Sequence, residues 1–391
     1  MKPPVEPLQA KKEVFSSILI CCDFLTTRKS EQASNLRWVR DLLERPIKAA
    51  CCETAVRFEL NEFDEHTVLA GASGPNQGNK ARHRWFDPER IKPSGLAHLA
   101  RAVGEKTLVI GYELSHSTRR ALDRAGLHWI DIWLHPVRFS DDILFAIRAS
   151  SPLVHSRLER FNVQEETFFA QADLLKIQNY RGFNKLNRSL DDDSALFVGQ
   201  TARDKSVLSD NGFLNLLDFE EEFKSLTHNH SSVYFSRHPN EPRLAPEIAR
   251  FLKKFANVSE IGVPTYHLLA APQITTVASI SSSVLEEARF FGKKTIQFHP
   301  SSFELHGEHR YCSIFQDLCF AHFWADVLSE VVNVHSVPEA SFLVRQNKLR
   351  HPLSFYWGYR DIDRYEQLGR VTQEQVYASS TETTLNSAEI V

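Results

Sequence analysis

Two runs of alternating strand-like and helix-like segments, separated by one polar stretch, constrain this chain more than any other feature. In the first run, Ser17–Cys22 (SILICC) predicts a buried strand. Asn35–Ala50 predicts a helix, with Leu36, Val39, Leu42, Leu43 and Ile47 at helical spacing and Pro46 predicting a break near its end. Residues 56–60 (VRFEL) alternate with period two. Thr107–Tyr112 (TLVIGY) predicts a strand, Ser117–Ala125 a helix closed by Gly126, and His128–Leu134 the next strand. Strand, helix and strand within about 30 residues form a βαβ unit, which requires a parallel sheet.

The chain turns polar over Arg181–Ser194 (RGFNKLNRSLDDDS), and the pattern then restarts. Ala195–Gly199, Ser232–Ser236, Ile274–Ile280 and Lys294–Phe298 predict strands. Phe213–Leu226, Pro246–Ala256 and Ser283–Phe291 predict helices. The fold class expected is therefore α/β, with two Rossmann-like domains facing across a cleft. Ligands in such sheets bind beyond the carboxyl ends of the strands. The division expected is 1–190, 191–350, and a C-terminal helix and tail over 351–391 that crosses back to the first domain. Phe355–Tyr359 predicts the packed aromatic start of that helix, and the final SSTETTLNSAEIV reads as a frayed end where a longer parent is cut.

Composition narrows the functional classes. Lys+Arg 46 against Asp+Glu 49 leaves a net charge of −3, which argues against a dominant nucleic-acid-binding surface. The six cysteines, two vicinal pairs plus Cys312 and Cys319, make no C-x-x-C and read as free thiols of a reducing compartment. The start MKPPVEPLQAKKEV has no apolar signal core, and no window approaches about 20 uninterrupted apolar residues. A cytoplasmic protein is expected. Neither G-x-G-x-x-G nor G-x-x-x-x-G-K-[ST] occurs, which lowers dinucleotide and P-loop readings.

Three segments of the second run carry the chemistry. In 274–298 a strand runs into Ser281, Ser282 and Ser283, which open a helix carrying Glu286 and Glu287. Hydroxyls and free N–H groups at a helix start attract anions, although serines there also serve as plain caps. In FVGQTARDKS a strand ends and Gln200, Asp204 and Ser206 follow in a loop. In VYFSRHP a strand ends in Arg237 and His238, both able to donate to phosphate oxygens.

In order and spacing, G-Q-x-x-x-D-x-S, strand–[K/R]-H-P and S-S-x-x-x-E-A-x-x-x-G-K–strand resemble the C-terminal half of the capsule-synthesis glycosyltransferases, and within them the retaining β-Kdo transferases (Kdo is 3-deoxy-D-manno-octulosonic acid). GYELS (Gly111–Ser115), TRRALDRAG and the run Trp129–Ser150 look like the O-antigen β-Kdo transferase domains of bacteria. The resemblance spans about three quarters of the chain. It implies a GT-B fold, the donor CMP-β-Kdo, and double displacement with retention. Asp204 matches the nucleophile, Glu113 the acid/base carboxylate and His238 the phosphate-contacting histidine. Ser282 and Ser283 match the phosphate-binding helix start, and Glu287 the ribose carboxylate. Arg237 stands where capsule enzymes usually carry Lys, and Lys294 where Pro is usual.

Retention needs one carboxylate that attacks the anomeric carbon and a second for acid/base duty. Asp204 and Glu113 follow strands of opposite halves, so closure is expected to assemble them. Kdo bears a carboxylate on its anomeric carbon, for which Arg138 and Arg203 are the candidate cations. No metal or other cofactor is expected, because a monophosphate leaves with less charge than a diphosphate. Asp191–Asp193 and His228–His230 read as polar loops, and Asp141-Asp142 as the acidic start of a helix DILFAIRAS. The acceptor expected is a lipid-linked O-antigen or capsule glycan at the inner face of the bacterial inner membrane, reached by peripheral association through other domains or partner proteins. The alternatives are an inverting GT-B transferase using CMP-sialic acid or a UDP-sugar, and an inactive sugar-nucleotide-binding module.

Overall fold

The computed structural model describes residues 14–73, 83–140, 142–182, 190–238, 241, 243–300 and 310–339. Expectations for Asp141, Pro239, Phe355–Tyr359 and the tail 351–391 lie outside these residues.

The first half runs β1 (Ser17–Cys22), α1 (Lys29–Ala50), β2 (Ala55–Arg57), α2 (Glu65–Leu69), α3 (Pro93–Val103), β3 (Thr107–Tyr112), α4 (His116–Arg124), β4 (Trp129–Leu134), β5 (Phe145–Ala149), α5 (Pro152–Leu158) and α6 (Glu165–Gly182). The second runs β6 (Ser194–Val198), β7 (Leu208–Ser209), β8 (Gly212–Phe213), α7 (Glu220–His228), β9 (Val233–Ser236), α8 (Pro246–Leu252), β10 (Val258–Ile261), α9 (Thr265–Ala270), β11 (Ile274–Ser279), α10 (Val284–Phe290) and β12 (Lys294–Gln297). Then come β13 (Cys312–Ile314) and α11 (Ala321–Leu328).

One sheet has the order β13-β5-β4-β3-β1-β2 and the other β10-β9-β6-β11-β12. The second is parallel throughout; in the first β2, β1, β3 and β4 are parallel, β5 alone runs the opposite way, and β13, antiparallel to β5, points with the rest. β3 and β6 are buried along their whole length, as strands covered on both faces must be. Each sheet packs a separate core on each face. In the first, Trp38, Leu43 and Ile47 of α1 meet Phe323, Trp324 and Leu328 of α11 on one side, and α3 and α4 cover the other. In the second, α6, α9 and α10 cover one side and α7 and α8 the other. The α/β arrangement of two Rossmann-like sheets is therefore present.

Several local expectations are corrected. Phe145–Ala149 is a strand antiparallel to β4, not a helix. A short apolar run does not distinguish the two by periodicity, and edge pairing decides. α1 begins at Lys29 and continues through Pro46. The helix expected from Phe213 starts only at Glu220, after Asn215 forms a capping box with Asp218 over a 3₁₀ turn.

The chain order of the halves is also exchanged at two places. α6 precedes residue 190 yet contributes Phe168, Ala172 and Leu175 to the core of the second sheet. β13 and α11 fall inside 191–350 yet complete the first sheet and its α1 face. The β4–β5 connection crosses as well: Val137, Phe139 and Leu144 pack in the second core, with the Phe139 ring edge-on to Phe291 at 5.4 Å and Tyr266 at 6.0 Å. Apolar side chains in linkers bury where surface is open, and here that surface belongs to the other half.

Candidate functional site

Apart from Glu287, which lies in α10, the candidate residues follow the carboxyl ends of central strands: Glu113 after β3, Arg138 after β4, Gln200–Ser206 after β6, Arg237 and His238 after β9, and Ser281–Ser283 after β11. These edges from both sheets border one cavity of about 670 Å³. Asp204, Glu113, His238, Gln200, Ser206, Arg237, Ser281, Ser282, Ser283, Glu287, Arg138 and Arg203 all line it. Asp204 and Glu113 thus share the cavity in the structure as it stands.

Glu113 sits on a left-handed turn with φ +53°, a region non-glycine residues enter at a cost of about 1 kcal/mol or more. Surrounding bonds hold it there. The Glu113 N–H donates to Ile132 O at 2.8 Å and the Leu114 N–H to Asp131 Oδ1 at 2.9 Å. The Ser115 N–H donates to Asp23 Oδ2 at 3.2 Å, and the Ser115 hydroxyl caps α4 by accepting the Thr118 N–H. Leu114 folds back over Gly111, where a Cβ would overlap its side chain, so the glycine is required by close approach. Asp131 is wholly buried and also accepts from Arg119, from Trp133 Nε1 at 2.8 Å and from the Tyr311 hydroxyl at 2.7 Å. Burial outweighs these partners and raises its pKa above the ordinary aspartate value.

On the facing side, Gln200 ties two loops together. Its carbonyl oxygen accepts the Ser281 N–H at 2.7 Å, and its amide donates to Ser206 Oγ at 3.1 Å and Ser281 Oγ at 3.2 Å. Ser281 Oγ donates to Ser206 O at 2.8 Å. These three side chains position the loops. Asp204 opens the 3₁₀ turn Lys205–Val207, accepting the Ser206 N–H at 2.8 Å, and is exposed to the cavity.

His238 is partly buried, which lowers its pKa below the ordinary imidazole value; Asp204 and Glu241 oppose that shift. An arriving anion would add to their effect and favour the imidazolium. The Arg237 guanidinium pairs with Glu260 at 3.3 Å. Glu287 is 2% exposed and accepts the Arg138 backbone N–H at 2.7 Å and the Tyr266 hydroxyl at 2.8 Å. Ser282 Oγ accepts the Val284 N–H at 3.3 Å, and Ser283 occupies the N-cap position of α10 without a side-chain cap bond.

Lys205, beside Asp204 in sequence, is the residue the motif reading passed over; its side chain is 11% exposed and reaches the first half. Thr27, Asn35 and His83 also line the cavity, Thr27 and His83 joined by a β-bridge with Thr27 Oγ1 3.2 Å from His83 Nδ1. No motif announces them, because long-range pairing brings them there. Asp191 and Asp193 brace strands through Ser232 Oγ and Thr275 Oγ1, and His230 bridges Leu226 O and Thr276 Oγ1. Among the described residues no cluster of His, Cys, Asp or Glu has a metal-binding arrangement, and no helix is long and apolar enough to cross a membrane.

Residues 144–299 match the family model described as alpha-2,8-polysialyltransferase (POLYST). No curated protein matches the chain. Among solved structures, the chain is similar to the Thermosulfurimonas dismutans KpsC beta Kdo 2,7 transferase, at 14% identity and a TM-score of 0.33 over 61% of this chain and 81% of that one. It is similar to the beta Kdo 2,4 transferase of the same KpsC, at 15% identity and 0.32 over 71% and 78%. A third similarity is to Methanocaldococcus jannaschii UDP-GlcNAc 2-epimerase, at 12% identity and 0.28 over 72% and 83%. The family match covers the stretch that supplies Asp204, His238 and Glu287.

Proposed function

We propose that this chain is a CMP-sugar glycosyltransferase of capsule or O-antigen glycan synthesis, and within that class a retaining β-Kdo transferase. The observation that carries the reading is the shared cavity: Glu113 and the turn bearing Asp204 line it from opposite sheets, with a histidine and a serine-rich loop between. The Kdo assignment rests on the motif resemblance around Gln200–Ser206, Arg237-His238 and Ser281–Lys293.

In this reading the Asp204 carboxylate attacks the anomeric carbon of CMP-β-Kdo. The bond from that carbon to the phosphate oxygen breaks, and CMP leaves with the electron pair. His238 donates to the departing phosphate, and Ser282 and Ser283 offer hydroxyls beside it. Glu113 then takes the proton from an acceptor hydroxyl as it displaces Asp204, and two inversions give net retention. Arg138 and Arg203 are the cations for the Kdo carboxylate. The acceptor is a lipid-linked glycan at the inner membrane face.

A second reading is inverting transfer from CMP-sialic acid with Glu113 as base, favoured by the name of the family matched over 144–299. Sialic acid, like Kdo, carries a carboxylate on its anomeric carbon. The decisive experiment is intact-protein mass after incubation with CMP-Kdo or CMP-sialic acid and no acceptor. A Kdo adduct lost in Asp204→Asn supports double displacement. Release of CMP from CMP-sialic acid alone, with no adduct, supports the second reading.

A further inference from the structure

The turn that presents Asp204 also sends one ammonium across the cavity. Lys205 Nζ donates to the Glu113 carbonyl oxygen at 2.6 Å, lies 3.5 Å from Asp23 Oδ2 and 3.9 Å from Glu113 Oε2, and stands 4.8 Å from the centroid of the Trp133 ring. Those groups come from the ends of β3, β1 and β4. Asp23 is itself fixed: it is 2% exposed, and it accepts the Thr118 hydroxyl at 2.6 Å, the Thr26 N–H at 3.2 Å and the Ser115 N–H. The anchor is therefore a rigid one, and the ammonium satisfies a carbonyl whose own residue is held at φ +53°.

We propose that Lys205 is a positioning residue that sets the nucleophile Asp204 against the acid/base Glu113. This rests on the double-displacement reading and deepens it. Asp204 and Lys205 are consecutive, so a contact of Lys205 with Glu113 fixes where the Asp204 carboxylate stands relative to Glu113. The bond to the Glu113 carbonyl also holds the left-handed turn that orients the acid/base side chain. A side chain that only stabilised the fold would act on unfolding alone; one that aligns two reacting carboxylates acts on the chemical step, where misplacement by about 1 Å costs on the order of 100-fold.

The test follows hydrolytic turnover of CMP-Kdo, in which Asp204 displaces CMP and water then displaces Asp204 to release free Kdo, in wild type, Lys205→Met, Lys205→Arg and Asp204→Asn. Lys205→Met is expected to lower kcat by about 10- to 100-fold with donor KM changed less than about threefold. Lys205→Arg, which keeps the charge and a donor, recovers most of that loss. A Lys205→Met kcat within twofold of wild type overturns the proposal, and so does a loss confined to KM, which would make Lys205 a donor-binding residue. Thermal unfolding of each variant identifies loss through misfolding, and Lys205→Arg then serves as the folded probe: it must turn over faster per folded molecule than Lys205→Met. If Asp204→Asn keeps full turnover, the double-displacement reading itself fails, whatever Lys205→Met does.

Discussion

Glu287 Oε1 accepts both the Arg138 backbone N–H, at 2.7 Å, and the Tyr266 hydroxyl, at 2.8 Å, so a carboxylate of α10 holds the connection between β4 and β5. A buried carboxylate survives only when hydrogen-bonded. Glu287→Gln keeps an acceptor oxygen for both donors and is expected to change stability by less than about 1 kcal/mol, whereas Glu287→Ala strands two donors and costs about 1–3 kcal/mol. Urea unfolding reads the difference. If Glu287 also receives ribose hydroxyls, calorimetry finds CMP affinity about tenfold weaker in Glu287→Gln, the value of one charge-assisted bond. Unchanged CMP affinity in that variant removes the ribose role and leaves the structural one.

The same residue shows how far the chain's chemistry is legible without coordinates. Strand ends were readable because TLVIGY, ALFV and VYFS are apolar runs stopped by polar residues, and the ligand edge of a parallel sheet follows from that. Asp204 and His238 are legible at that edge, Glu113 enters only through the motif resemblance, and all three line the cavity. What was hidden depends on partners far apart in sequence. Gln200 looks like a binding side chain, yet its amide is used on Ser281 and Ser206. Phe139 looks like part of an ordinary linker, yet it packs in the opposite core. Phe145–Ala149 becomes a strand because β4 and β13 offer edges on both sides of it.

Gln200 yields the second prediction. Its carbonyl oxygen accepts the buried Ser281 N–H, and its amide spans to Ser206. Gln200→Ala leaves that N–H unpaired and is expected to cost about 1–3 kcal/mol in urea unfolding. Because both loops it joins line the cavity, CMP affinity should fall as well. An equal fall for Gln200→Glu, which keeps the acceptor but replaces the amide donor, assigns the effect to the Ser206 and Ser281 hydroxyl bonds. A Gln200→Ala protein with wild-type stability contradicts the loop-tying role.

The buried pair behind Glu113 supplies the third. Arg119 and Asp131 have side chains 4% and 0% exposed, 2.8 Å apart. Removing one charge of such a pair leaves the other uncompensated, so Asp131→Asn is expected to cost about 3–5 kcal/mol. Replacing both, as in Asp131→Asn with Arg119→Leu, should recover part of that loss, since the stranded charge is gone. In the double variant the amide oxygen at position 131 still accepts the Leu114 N–H beside Glu113. Its turnover should therefore recover together with its stability, and turnover that stays low at recovered stability would show that the Glu113 turn needs the carboxylate charge.

Acid should loosen the structure through two histidines. His135 accepts the Val137 N–H on Nδ1 and pairs through Nε2 with Ser313 Oγ at 2.9 Å; burial pushes its pKa down to about 3, with the Arg138 charge adding to the effect. Burial pushes His267 down to about 4. In the unfolded chain each titrates near its ordinary value of about 6.5. Between those values the unfolded state binds more protons than the folded one, so stability is complete above about pH 6.5 and falls as pH drops toward 4 and then 3. At pH 5 the loss is up to about 2 kcal/mol per histidine. Denaturant unfolding at pH 7 and pH 5 measures it, and His135→Gln, which cannot titrate, should show a drop smaller by about that amount. An unchanged drop would mean that the ring joining the β4–β5 connection to β13 is already protonated in the folded protein, against the hydrogen bond its Nδ1 accepts.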